Sequence, residues 1–201
     1  MKRSIAVILK SVAILAAGAF VLQAAAPAGW FMAGSKPNDY DCNLDATAAY
    51  NGQPSTYVKL KDGVTPTGFG TLMQDFSATQ YIGKRVRFSA NVRAEGVTSW
   101  AGLWMRVDDN VHLKNSYPTM LAFDNMQDRP IKGTLVWQNY SVVLDVPEGA
   151  TGIFLGILLD GPGEVWLNGV KVEIVPATVP TTGKPVSQAL PDGPTNLGFD
   201  K

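Results

Sequence analysis

The chain has 201 residues, 46% of them hydrophobic, and its 17 basic and 17 acidic residues balance to a formal net charge of zero. That length supports one domain with a substantial core and is short for two. The densest basic cluster is Lys84, Arg85 and Arg87, too little for a nucleic-acid partner, whose capture rests on clustered Lys and Arg releasing counterions.

Lys2 and Arg3 open the chain with positive charge, and the stretches Ile5–Leu9 and Val12–Leu22 are apolar, broken only by Lys10 and Ser11. Small residues follow at Ala24–Ala26, then Pro27. This order is that of a signal peptide, helical while it inserts, and predicts export to the periplasm or beyond with cleavage near residue 26. Membrane contact is then limited to export; the alternative is an uncleaved anchor over residues 11–28, just long enough to span. The single cysteine, Cys42, stands too far downstream to carry a lipid. Losing Lys2, Arg3 and Lys10 leaves 14 basic against 17 acidic residues, a net charge of −3.

Beyond the leader, helical periodicity gives way to short apolar runs with two-residue alternation, punctuated by glycine and proline. Strands are predicted near Trp30–Met32, Tyr40–Leu44, Ser55–Lys61, Gly68–Phe76, Arg85–Ala94, Ser99–Val107, Thr119–Asn125, Tyr140–Val146, Thr151–Leu159 and Glu164–Ile174. Turn signals separate them, among them Asn51-Gly52, Gly96, Asp108-Asp109-Asn110 and Gly161-Pro162-Gly163. Evenly spaced strands of this kind predict an all-β fold, a jelly-roll-like antiparallel β-sandwich, over residues 27–175. In one strand Val86, Phe88, Ala90 and Val92 face the core and Arg87, Ser89, Asn91 and Arg93 face away. Phe154–Leu159 is apolar on both parities, as in a strand covered on both faces, and its Gly156 marks a close approach or a bulge. Residues 176–201 read as a proline-rich extended tail with two late apolar anchors, Leu197 and Phe199.

The inventory of reactive groups is small. Cys42 alternates with Tyr40 and Leu44, which places all three inward and the thiol buried. His112 is the one histidine, set in a polar, turn-like stretch, and any Ser-His-Asp arrangement would have to use it. One histidine and one distant cysteine do not make a zinc site. No phosphate-binding glycine loop opens a helix. These points predict a protein that is not an enzyme and carries no cofactor. A structural calcium ion is conceivable at Asp108-Asp109 or Asp124/Asp128.

A binding face is more legible. Trp100, Gly102, Trp104, Arg106 and Asp108 share one parity of their strand, and Leu103, Met105 and Val107 share the other. Trp104 and Arg106 set opposite Asp124 would have the grammar of a sugar site: an aromatic plane for the C–H face of a pyranose and charged groups for its hydroxyls. Arg129, in the loop 124–134, either joins that site or pins the loop to Asp124 or Asp128. The competing reading makes Trp104 a core residue and Arg106–Asp124 a structural ion pair. Trp137 and Trp166 read as core or edge packing.

Three segments carry a resemblance: Tyr81-Ile82-Gly83-Lys84-Arg85-Val86-Arg87-Phe88-Ser89-Ala90, Ala101–Asp108, and Gly161-Pro162-Gly163-Glu164-Val165-Trp166-Leu167-Asn168-Gly169-Val170. In order and spacing they resemble the galactose-binding-like β-sandwiches that include many extracellular carbohydrate-binding modules, with Asn168 where an acidic residue is usual. Trp30–Ser35, Phe123–Thr134 and Trp137–Tyr140 are similar to a bacterial exported β-sandwich domain family, some carriers of which are described as transcriptional regulators. The resemblance spans roughly residues 30–175. It implies a secreted, non-catalytic module with a glycan partner. The alternatives are a structural or protein-interaction sandwich without a sugar ligand, and a hydrolase with an unfamiliar site.

Overall fold

The structure, a computed structural model, describes residues 26–114, 117–185 and 197. The predicted leader helix lies outside the described residues. Ten strands follow in chain order: β1 (Phe31–Gly34), β2 (Tyr40–Tyr50), β3 (Gln53–Leu60), β4 (Phe69–Ser77), β5 (Lys84–Lys114), β6 (Tyr117–Asp124), β7 (Ile131–Val146), β8 (Gly152–Asp160), β9 (Glu164–Val175) and β10 (Lys184–Pro185). All pairings are antiparallel. The all-β sandwich expected from the alternation is the fold observed.

One strand organises both layers. The first half of β5 pairs with β7 and β9, from Lys84↔Val146 and Arg85↔Val175 onward. Its second half pairs with β8 and β6, through Trp104↔Gly156 and Arg106↔Phe123. One layer is therefore β2-β3-β9-β5-β7 and the other β1-β4-β8-β5-β6. The sequence predicted two strands broken at Gly96. The chain instead passes between the layers without losing strand geometry, bending where Gly96 takes φ +60° and where the register with β7 slips between Ala94 and Ala101. Glycine accepts that left-handed backbone without a Cβ clash.

Core residues come from the inward parity of both halves: Val86, Phe88, Ala90 and Val92 from the first, Leu103, Met105 and Val107 from the second, meeting Leu155, Ile157 and Leu159 of β8. Tyr40 and Cys42 are buried as expected, and burial pushes the Cys42 thiol above its ordinary pKa. Leu44, predicted inward, is 56% exposed. It lies on an edge strand just before the register slip at Asp45/Tyr50. Asp108-Asp109-Asn110, predicted to close a hairpin, is strand, and both aspartates are buried.

The segment after Val175 stays on the sandwich as far as Pro185. The Arg85 guanidinium donates to the Ala177 and Val179 carbonyls, both at 2.6 Å. Thr182 and Val143 exchange hydrogen bonds. Lys184 and Pro185 then pair with Phe123 and Ala122 of β6. This stretch thus bridges β7 of one layer and β6 of the other, occupying edges that would otherwise present unpaired backbone groups.

Candidate functional site

The outer face of the β1-β4-β8-β5-β6 layer carries a second apolar cluster separate from the core. Met73 of β4, Trp104 of β5 and Leu158 of β8 are buried there, with Ala33, Phe69, Trp100, Phe123 and Phe154 packed against them. An open groove of about 440 Å³ runs over this cluster, lined also by Phe31, Thr71, Arg106 and Asn125. Its size lies within the range of small-ligand sites. Phe31, on the edge strand, is 43% exposed.

Local sequence explains the groove. The double-parity run Phe154–Leu159 gives Leu155, Ile157 and Leu159 to the core and Phe154, Gly156 and Leu158 to the outer face. The prediction that β8 is covered on both faces is corrected: one face meets the core and the other floors the groove. Gly156 stands between Trp104 and Met73 in register. A Cβ there would run into the Leu72 carbonyl and the Met73 backbone, so glycine allows the close approach foreseen at this position. The Trp104 indole reaches past β8 and donates from Nε1 to Thr71 Oγ1 on β4 at 2.7 Å, while Thr71 donates to the Ile157 carbonyl at 2.8 Å. Trp104 is 8% exposed, so it shapes the floor of the groove rather than projecting from it.

Arg106 lies beside it, its guanidinium carbon 4.9 Å from the centroid of the Phe154 ring, within cation–π range. Its Nη2 pairs with Asp108 Oδ2 at 2.8 Å. Asp108 is 1% exposed, and burial raises its carboxyl above the ordinary value against the opposing pull of Arg106. Arg106 Nε and Asp108 Oδ1 are buried without a partner.

The five residues expected at the site separate into two groups. Trp104 and Arg106 line the groove, and Trp100 packs at the edge of its cluster. Asp124 and Arg129 do not join them. Asp124 is in register with Met105, on the opposite parity from Arg106, whose cross-strand partner is Phe123. The expected Arg106–Asp124 juxtaposition is therefore replaced by Arg106–Asp108 and by Arg129–Asp124, the latter with Nη2···Oδ2 at 2.5 Å. Arg129 also holds Asp128 at 2.8 Å. Burial alone would raise the Asp124 carboxyl, but hydrogen bonds from Arg129, Thr182 and the Met126 N–H outweigh it and hold the group below its ordinary value. Asp124 and Arg129 thus form a clamp on the 125–130 loop and the C-terminal segment.

Among the described residues no group of three His, Cys, Asp or Glu side chains is placed to hold a metal ion. Asp108, Asp124 and Asp128, three of the carboxylates considered for calcium, pair with arginines. The His112 side chain lies outside the described residues. Trp166 faces outward on the other layer yet is buried, with Arg93 4.3 Å over its ring and its Nε1 donating to Asp45 Oδ2 at 2.9 Å. Trp137 is half-buried against Tyr50, ring centroids 5.2 Å apart. Asn168 Nδ2 contacts the Gln53 and Pro54 carbonyls and Ser55 Oγ; its amide can donate to the two carbonyls, and a carboxylate cannot.

The second face of the layer was the part that sequence reasoning missed. Phe31, Phe69, Met73 and Leu158 each look like ordinary strand residues. The available signal was the double-parity run in β8, since a strand apolar on both sides predicts that something other than water meets its second face.

No family model matches the chain. It is 40% identical over 173 residues to a Bacillus subtilis (strain 168) protein described as the uncharacterized HTH-type transcriptional regulator YbfP, an alignment covering 86% of this chain and 57% of that protein. The chain thus spans little more than half the length of this relative. Among solved structures, the CBM22-1 xylan-binding domain of Paenibacillus barcinonensis Xyn10C superposes with a TM-score of 0.50 at 16% identity, over 76% of this chain and 90% of that one. The enzymatically active domain of bacteriophage CBA120 tailspike protein 4 gives 0.52 at 11% identity, over 74% of this chain and 20% of that one. At such identities the likeness speaks to fold, and the fold is a β-sandwich of the kind found in carbohydrate-binding modules.

Proposed function

We propose that this chain is an exported, non-catalytic binding module whose ligand is a glycan seated in the groove over Trp104, Phe154 and Arg106. The observation that carries the reading is the groove itself. Sandwich strands normally turn polar side chains outward, and here an outer face is apolar, aromatic and concave with a single arginine in it. A surface of that kind marks a recognition site. Aromatic rings pack on the C–H faces of sugars, and Arg106 and Asn125 offer fixed hydrogen-bond donors beside them. The xylan-binding domain with the same fold supports the ligand class by analogy alone. The signal-peptide pattern of the first 26 residues supports export. The match to part of a longer regulator suits a module that works alone or joined to another domain.

The test is affinity electrophoresis of the full chain, freed of its leader by the exporting host, against a panel of soluble plant and cell-wall polysaccharides. Retardation by at least one, weakened tenfold or more in Phe31→Ala and Phe123→Ala, is the expected result. Retardation by none, with the protein folded by circular dichroism, overturns the glycan reading and leaves the groove to a protein partner. Fractionation of the host checks export: a cytoplasmic full-length product would contradict it.

A further inference from the structure

The hydrogen-bonding groups of the groove are unequal in kind, and this specifies the ligand further. Thr71 Oγ1 accepts from the Trp104 indole and donates to the Ile157 carbonyl, and Thr71 is 3% exposed, so neither residue has an N–H or O–H to spare and the remaining Thr71 lone pair is buried. Asn125 Oδ1 accepts the Gln127 N–H at 3.1 Å, which leaves one lone pair on that oxygen beside the two amide N–H groups. Asp108 is paired to Arg106, and its second oxygen is buried out of a ligand's reach. What remains for a ligand is the free guanidinium N–H groups of Arg106 and the amide of Asn125, donors but for that one lone pair.

A bare sugar presents hydroxyls, each a donor as well as an acceptor. Seated here, its several O–H groups would meet Phe69, Phe123, Phe154, Met73 and Leu158 with only the spare lone pair of Asn125 Oδ1 as a side-chain acceptor, and an unmet buried donor is costly. An ester has the complementary chemistry, a carbonyl that only accepts and an apolar acyl group. Resting on the glycan reading above, we infer that the groove recognises O-acylated sugar chains, the acyl group lying on the phenylalanines and Leu158 and the ester carbonyl accepting from Arg106 and Asn125.

The experiment compares one polysaccharide in two states. O-acetylated xylan, the same xylan stripped by mild alkali, and a feruloylated arabinoxylan are titrated against the full chain by calorimetry. The expected result is binding of either ester-bearing chain at least tenfold tighter than of the stripped one. Arg106→Met, which keeps the apolar stem and removes the donors, should cut that preference to threefold or less, and a preference left at tenfold overturns the acyl inference. Equal affinity for stripped and acylated chains overturns the acyl inference and leaves the glycan reading standing. Binding of methyl ferulate or triacetin as tight as that of the acylated polymers overturns the glycan reading, and the absence of binding to all three polymers by a chain that binds another polysaccharide of the panel overturns the acyl inference alone.

Discussion

On the β2-β3-β9-β5-β7 layer, the outward residues of β5 are Arg87, Ser89, Asn91 and Arg93. The first three line, with Asn139, Ser141, Lys171 and Glu173, a polar cleft of about 460 Å³. On the other layer the same strand turns Trp104 and Arg106 outward, beside Phe154 and Leu158. The two depressions are similar in volume and opposite in chemistry. The first pairs its own polar groups, Arg87 with Glu173 at 3.2 Å and Asn139 with Asn91 at 3.2 Å. Nothing in the described chain satisfies the second. The difference teaches that concavity alone does not identify a site in a sandwich; the apolar, poorly hydrogen-bonded depression is the informative one.

The contrast can be broken at several points. Trp104→Ala should cost about 3–5 kcal/mol of stability, the range for truncating a large buried aromatic, because it also leaves Thr71 without the indole donor. Trp137→Ala, half-buried on the polar layer, should cost only about 1–2 kcal/mol. Urea denaturation of both variants decides it, and equal costs would dissolve the distinction between the faces.

Asp124→Asn should cost about 2 kcal/mol by leaving Arg129 poorly paired. Because the folded Asp124 carboxyl titrates below its unfolded value, its stabilisation is complete above the ordinary carboxylate range and is lost as pH falls through the lowered folded value. The variant's stability should therefore decline less steeply with acid. An unchanged acid limb would remove Asp124 from the clamp.

Phe31→Ala, at an exposed groove position, should change stability by under about 1 kcal/mol while weakening glycan binding by about tenfold, or about 1.4 kcal/mol. Asp45 sits on the opposite layer, held down to about 2 by hydrogen bonds from Thr47 and Trp166. Its stabilisation is complete above the ordinary carboxylate range and should be lost progressively as pH falls from there through about 2, and Asp45→Asn should alter the acid limb without touching ligand affinity. The smallest effect belongs to Arg87→Gln, which breaks a half-exposed ion pair and should change stability by about 0.5 kcal/mol or less.

Much of the fold was legible because alternation is a local signal. Val86–Val92 revealed its own inward face, and Trp104 and Arg106 their shared parity. Cross-strand register is not local, and there the reading failed. Asp124 was set opposite Arg106 by chemistry, whereas the ladder pairs it with Met105. Asp108-Asp109-Asn110 looked like a turn because these residues favour turns, yet pairing with Met120, Thr119 and Gly152 overrides that preference. The groove was hidden for the same reason: it is assembled from β1, β4, β5, β6 and β8, each contributing one to three residues.

The continuity of β5 has a consequence for how the molecule comes apart. A strand that belongs to both layers denies either one an independent opening, because detaching β7 and β9 from residues 84–95 pulls on the residues that hold β8 and β6. Most of its pairings also join segments distant in sequence, so little is gained until the whole is assembled. Amide hydrogens in the two halves of β5 should exchange with one shared protection factor, set by global unfolding rather than by local fraying.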